Sequence, residues 1–364
     1  MPREQWLQVR QQGIGSSDAA AAVGLHPYKS PLQLWLEKTG RSAGNASANT
    51  SDRASDATPG NAPSDEEGPL YWGTLLEPIV AAHYTKRTGN RVRRVNAVLQ
   101  HPDHPWMLAN IDREVHGAPD VQILECKTAG IQGSRLWQDG VPEYVQLQVL
   151  HQLAVTGKQA ADVAVLLGGQ ELQIHRIERD EVMIRHLIDL EAGFWRHVKE
   201  DRPPPADGSE SSAHALLTMF PSDRGATLDL SGDLVFSALF SDLLAARQQV
   251  GKFEALEAQL RQSLQQRMGE ATKVLFEQGS VTWKKTKDSS VIDAQRLARE
   301  HPQIAQRYRK PKAGGRRFMV QAHGLSPEGT ETQVSQSEKT EVMGEAKTGV
   351  SQGATDTDAP MPPA

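Results

Sequence analysis

Three strand-like stretches in a row constrain the fold of this chain more than any other feature. They are RVRRVNAVLQH (residues 91–101), WMLANIDREVHG (106–117) and DVQILECKTA (120–129). A helical stretch precedes them, LYWGTLLEPIVAAHYTKRTGN, ending at Gly89. PEYVQLQVLHQLAVTG follows as a strongly amphipathic helix. ADVAVLLGGQELQIHRIER then reads as a hairpin turning at Gly168-Gly169, and DEVMIRHLIDLEAGFWRHVKED as a long helix. Helix, strands, helix, hairpin and helix in that order predict an α/β sandwich, a mixed central sheet flanked by helices. Ahead of it, GIGSSDAAAAVG has the look of an N-capped short helix. SPLQLWLEKTG places Ser30 as cap, Pro31 at the first helical position and Gly40 past the end.

The α/β part is expected over residues 1–201. Residues 41–69, all small or polar with no large apolar side chain, are expected as a disordered insertion. Residues 202–228, with Pro203-Pro204-Pro205, read as a linker. Over 229–280 apolar residues recur at helical spacing (Leu243, Leu244, Val250, Phe253, Leu256, Leu260, Leu264), which predicts one long helix or a helical hairpin. Residues 281–323 form a basic module with two further strands and a helix broken at Pro302. Residues 324–364 read as a disordered polar tail.

One cysteine excludes an intrachain disulfide and a cysteine zinc cage, and fits a reducing cytoplasm. No apolar run reaches membrane-span length, and the N-terminus has no secretory apolar core. The net charge of −5 weakly opposes a nucleic-acid partner. Its distribution does not, because residues 281–317 hold eleven Lys/Arg against three Asp/Glu.

The chemistry concentrates on the strands. Glu125 and Lys127 share one face of their strand because side chains alternate. If the preceding strand pairs with it, Asp112 meets Glu125 at one end of the sheet. Converging carboxylates persist together mainly around a hard cation, Mg²⁺ or Mn²⁺, and the backbone carbonyl of Cys126 adds an oxygen ligand. Lys127 would then position water or neutralise charge in phosphodiester cleavage. The alternative is an exposed ion pair, since charges alternate on many half-exposed strands.

These pieces together resemble the YqaJ-type viral recombinase family, related to lambda exonuclease within the PD-(D/E)XK nuclease superfamily. The resemblance spans roughly residues 10–200 and rests on GIGSSDAAAAVGLHPYKSPLQLWLEKTG, WGTLLEP, LANIDREV, LECKTA and YVQLQVLHQLAVTG. It implies a PD-(D/E)XK restriction-endonuclease-like core and a metal-dependent exonuclease. Such an enzyme degrades one strand of linear duplex DNA from the 5′ end and leaves 3′ overhangs for a single-strand annealing partner. It also implies a homo-oligomer. By the same resemblance Asp112 and Glu125 match the metal carboxylates, Lys127 the catalytic lysine and Glu77 a helix glutamate acting through water. Gln146 or Gln148 matches a helical glutamine. Arg10 with Ser17, and the neighbouring Ser16, match a 5′-phosphate pocket, though simple capping also accounts for the serines. Asn110 stands where lambda exonuclease has a serine, Ile111 where the family prefers proline, and Arg135 near but not at a second phosphate arginine. Lys284, Lys285, Arg316 and Arg317, interleaved with Trp283, Tyr308 and Phe318, are candidate DNA contacts or a solvated basic face. Two other readings stay open: a structure-selective or nicking endonuclease of the same fold, and a non-enzymatic DNA-binding scaffold.

Overall fold

The computed structural model describes residues 8–42, 68–310 and 314–322. The expected insertion at 41–69 and the expected tail at 324–364 lie almost wholly outside the described residues. The chain divides into two units, Met1–Gly225 with Gly314–Arg316, and Ala226–Ala313 with Arg317–Ala364.

The first unit opens with β1 (Ile14–Gly15), α1 (Ala19–Ala22), α2 (Pro31–Lys38) and α3 (Pro69–Thr88). Strands β2 (Arg91–Arg94), β3 (Leu99–Gln100), β4 (Met107–Ala109), β5 (Arg113–His116) and β6 (Ile123–Ala129) follow. Next come α4 (Glu143–Thr156), β7 (Ala160–Leu167), β8 (Glu171–Glu178), α5 (Glu181–Lys199) and α6 (Glu210–Met219). The main sheet has the order β2-β5-β6-β7-β8, parallel only between β6 and β7, and so is mixed as expected. A small second sheet has the order β1-β4-β3.

Two of the three strand stretches are each divided between these sheets. Residues 91–101 give β2 and β3, and residues 106–117 give β4 and β5. The second division falls at Asn110–Asp112, so Asp112 lies just before β5 and not within a strand. Gly168 and Gly169 take φ of 56° and 74° at the β7–β8 turn, a left-handed geometry that suits glycine.

Helix α3 covers one face of the main sheet through Val80, Ala81 and Tyr84, packed on Val115, Leu124 and Ala164. Helix α4 covers the other through Val145, Val149 and Leu153, packed on Ile123, Val163 and Val165. The sequence suggested a one-sided amphipathic α4. Instead nine consecutive residues but one, Leu147 to Val155, are joined by Val145 in burial, because the small sheet, α1 and α5 close over its outer side. A helix enclosed all round holds polar side chains only where each finds a partner. His151 does so: Nδ1 meets Glu191 Oε1 of α5 at 2.8 Å, and Nε2 faces the Leu108 carbonyl of β4 at 3.0 Å. A carbonyl only accepts, so Nε2 carries a proton, and the Nδ1–Glu191 contact holds another between the two groups.

Ser30 caps α2 by accepting from the Gln33 N–H at 3.1 Å, with Pro31 opening the helix, as its spacing predicts. The span read as a linker is only partly one. Residues Glu210–Met219 form α6, capped by Ser209, and Ala215 is buried in the cluster that contains Leu34 and Trp35 of α2.

In the second unit the span 229–280 resolves into one helix, α7 (Leu234–Met268), followed by an antiparallel hairpin of β9 (Lys273–Phe276) and β10 (Gly279–Thr282). Two short helices, α8 (Ala294–Glu300) and α9 (Pro302–Arg307), meet at the predicted Pro302 break. GGRRFMV does not form the expected last strand; its described residues 314–320 carry no regular structure. Among the described residues no helix is long and apolar enough to cross a membrane.

Glu191→Ala would leave buried His151 with the Leu108 carbonyl alone and no partner at Nδ1. The expected loss is about 3 kcal/mol of unfolding free energy, read by urea denaturation. A loss below about 1 kcal/mol would show that this pair does not hold α4 to α5.

Candidate active site

Strand β6 starts inside the sheet and ends at its edge region, where β5 has stopped pairing. The β5–β6 register holds only Arg113↔Leu124 and Glu114↔Ile123, whereas β7 accompanies β6 through Ala129. Beyond Leu124 one side of β6 is therefore open, and the chain just before β5 turns into that opening. Asp112 Oδ2 accepts from the Cys126 N–H at 2.8 Å there. In a strand the N–H and C=O of one residue point to the same side, so the Cys126 carbonyl also faces the Asp112 side.

Glu125 and Lys127 face α4, as alternation predicts. Glu125 is 3 % exposed. Its Oε1 receives Lys127 Nζ at 2.9 Å and Gln148 Nε2 at 2.6 Å, and its Oε2 receives Gln152 Nε2 at 2.8 Å. Gln148 Oε1 in turn accepts from Lys127 Nζ at 2.8 Å. Gln152 also donates to the Asn110 carbonyl at 3.0 Å, which fastens the β4–β5 break to α4. Glu77 of α3 binds Arg113 Nη1 at 2.5 Å, and the same nitrogen donates to the Asp112 carbonyl at 2.7 Å.

The electrostatics follow from this crowding. Burial first, then the charges of Glu125 and Glu77, push the Asp112 carboxyl up to about 7, against the Cys126 N–H and Lys127. Burial would lower the Lys127 ammonium, but Glu125 and Asp112 more than offset it and hold it above its ordinary value. Burial, then Asp112 and Glu125, push the Cys126 thiol far up. The Cys126 carbonyl, not its sulfur, is the kind of oxygen donor a hard cation takes.

The donor set suits a hard divalent cation. Among the described residues no three His, Cys, Asp or Glu side chains are grouped to hold a metal. What is present is two carboxylates and a backbone carbonyl, all oxygen, which matches an ion that keeps several waters. Three acids (Asp112, Glu125, Glu77) face two bases (Lys127, Arg113) around the opening. The unbalanced negative charge adds to burial in raising Asp112, and a cation would relieve it.

Several sequence-based assignments are corrected. Gln146 turns away, exposed, and donates to the Val141 carbonyl at 2.6 Å. Two residues along a helix amount to roughly 200° of rotation, so Gln146 and Gln148 cannot both face the sheet. Gln152, one turn beyond Gln148, is the second glutamine of the site. Asn110 contributes its carbonyl, while its side-chain amide donates to Ala97 O at 3.0 Å. Arg135 is exposed on a 3₁₀ turn, Gly133–Trp137. Arg113 was not singled out from sequence.

Arg10 and Ser17 do meet, with Nη2 donating to Oγ at 2.7 Å. Neither Ser16 nor Ser17 caps α1. Ser16 Oγ lies 3.5 Å from the Asn110 carbonyl, linking this region to the β4–β5 break. At its centre is Asp18, unnoticed in the sequence and buried, paired with Arg10 Nη2 at 2.8 Å, Lys38 Nζ at 2.8 Å and Lys29 Nζ at 3.5 Å. Lys29 Nζ also pairs with Glu37, and more closely, at 2.9 Å, so three cations face two carboxylates here and positive charge is in excess. Lys284, Lys285 and Arg317 belong to the second unit and Arg316 to the first; all four are exposed.

An α/β chain with an acid and a lysine on the open end of a central strand, and a second acid brought to them by the turn before the neighbouring strand, is the class that fold and site define. Residues 5–159 match the YqaJ-like viral recombinase domain. An uncharacterized protein YqaJ of Bacillus subtilis (strain 168) is 31 % identical over 315 residues, 85 % of this chain and 92 % of that one. The chain belongs to the YqaJ-like viral recombinase family. Among solved structures it resembles an alkaline exonuclease from Laribacter hongkongensis (TM-score 0.43, 22 % identity, covering 54 % of this chain and 93 % of that one). A phage-related exonuclease from Haemophilus somnus 129PT gives a TM-score of 0.35 at 8 % identity, covering 52 % and 96 %.

Burial raises the Asp18 carboxyl, but Lys38, Arg10 and Lys29 outweigh it and hold the group well below the usual carboxylate range. A depressed folded pKa stabilises the fold above the unfolded pKa, near 4, and that contribution is lost as pH falls through the folded value. Asp18→Asn should therefore cost about 3 kcal/mol at pH 7 by urea denaturation, with the gap to wild type narrowing below about pH 4. A gap constant from pH 7 to pH 3 would contradict this.

Proposed function

We propose that this chain is a Mg²⁺- or Mn²⁺-dependent DNA exonuclease. It acts on linear duplex ends in the 5′-to-3′ direction and leaves 3′ single strands for an annealing protein in phage-type recombination. The observation that carries the reading is the convergence of Asp112, Glu125 and Lys127 at the open end of β6, with Gln148 and Gln152 fixing Glu125. Family membership and the exonuclease names of the similar structures agree with it.

Asp112, Glu125 and the Cys126 carbonyl are the groups that would hold the cation. When bound, the cation supplies an activated water and a counter-charge for the phosphodiester. The chain's own residues do the rest. Lys127, kept protonated by its two carboxylate neighbours, places an N–H donor beside the phosphate, where charge grows in the transition state. Gln148 holds the ammonium and the Glu125 carboxylate in one geometry. Arg113 steadies the Asp112 backbone and neutralises Glu77. Arg10 and Ser17, on the positive patch around Asp18, are the proposed holders of a 5′-terminal phosphate, by charge-assisted hydrogen bonding.

Nucleotide release from linear duplex with Mg²⁺ tests this. Asp112→Ala, Glu125→Ala and Lys127→Ala should each lower the rate by at least about 100-fold, and Gln146→Ala should not. Covalently closed circles should stay intact. Release by Asp112→Ala at the wild-type rate would overturn the proposal, and cutting of closed circles would favour an endonuclease.

A further inference from the structure

Helix α7 runs for 35 residues, about 52 Å at the rise of an α-helix. Its large apolar side chains lie open: Phe236 is 51 % exposed, Leu239 61 %, Val250 55 %, Phe253 68 %, Leu260 58 % and Leu264 39 %. Their spacing is regular. Positions 236, 239, 243, 246, 250, 253, 257, 260, 264 and 267 alternate steps of three and four, and eight of the ten are apolar, Glu257 and Arg267 being the exceptions. That is a heptad seam, and a seam of this length in water calls for a helical partner. The rest of the second unit does not supply one, since Leu275, Phe276 and Trp283 are themselves exposed. The remaining sequence of that unit, residues 323–364, is polar and carries no such repeat.

We infer that α7 is a self-association element, two copies pairing as an antiparallel coiled coil. Self-complementarity favours a second copy of this chain. With the helices antiparallel and Val250 level with Phe253 of the other copy, Leu239 faces Leu264 and Leu243 faces Leu260. Glu257 then lies against Ala246. The flanking positions bring Arg247 beside Glu254 of the other copy, twice by symmetry, and Phe240 beside Arg261. A parallel, in-register pair would set Glu257 against Glu257 and Arg267 against Arg267 within the seam, a repulsion the antiparallel arrangement avoids. The match to the Bacillus subtilis relative spans 315 residues, more than the whole first unit holds, so it reaches into this second unit. The inference requires no nuclease activity and stands separately from it.

Sedimentation equilibrium of the full-length protein tests it. Wild type should run as an assembly with an even number of chains, and the doubly substituted Val250→Glu, Phe253→Glu protein at half that mass. Both positions are exposed in the single chain, so the substitutions leave its fold intact. A monomeric wild type, or an unchanged mass in the variant, would overturn the inference. Orientation is read separately by oxidation and non-reducing electrophoresis. The double variant Leu239→Cys, Leu264→Cys should form a covalent dimer, and neither single variant should. Dimers from both single variants would overturn the antiparallel arrangement.

Discussion

Everything at the open end of β6 depends on one buried carboxylate. The Glu125 side chain has almost no contact with solvent, and burying a carboxylate costs several kcal/mol unless hydrogen bonds replace the water. The replacements come from Lys127 on its own strand and from Gln148 and Gln152 on α4. Two of the three donors thus require α4 to lie flat on the sheet in one register. That explains why α4 is enclosed on its outer side as well, with His151 tied to Glu191 and to the Leu108 carbonyl. Gln152 carries the same constraint on to Asn110, and so fixes where β4 ends and the Asp112 turn begins.

The two acids consequently approach each other by different routes. Glu125 is part of a regular ladder, whereas Asp112 is delivered by a break between two sheets and held by one N–H of the neighbouring strand. Burial and charge crowding leave Asp112 poised near neutrality. A cation held between the two acids would relieve that crowding.

Much of this was legible in the sequence, for reasons that differ by residue. Period-two alternation set Glu125 and Lys127 on one face. The same reasoning failed at WMLANIDREV, because alternation continues smoothly across a point where the chain leaves one sheet for another. Choosing between Gln146 and Gln148 needed the rotation of α4 about its axis, and an enclosed helix has no polar face to reveal it. The usable signal was the i, i+4 pair Gln148 and Gln152. Arg113 and Asp18 act as counter-ions to groups distant in sequence, Glu77 and the Arg10–Lys29–Lys38 cluster, and nothing local marks such a role. Helix α6 hid behind the proline run, although Ser209 and the ESSAHALLTM pattern announce it.

The central claim is that Asp112 and Glu125 form one divalent-cation site. Titrating Mn²⁺ into the full-length protein, with free ion followed by electron paramagnetic resonance, addresses it without any DNA. Wild type should take up Mn²⁺ saturably, and Asp112→Asn and Glu125→Gln should each weaken that uptake by at least about tenfold. Equal uptake by wild type and both variants would contradict the claim.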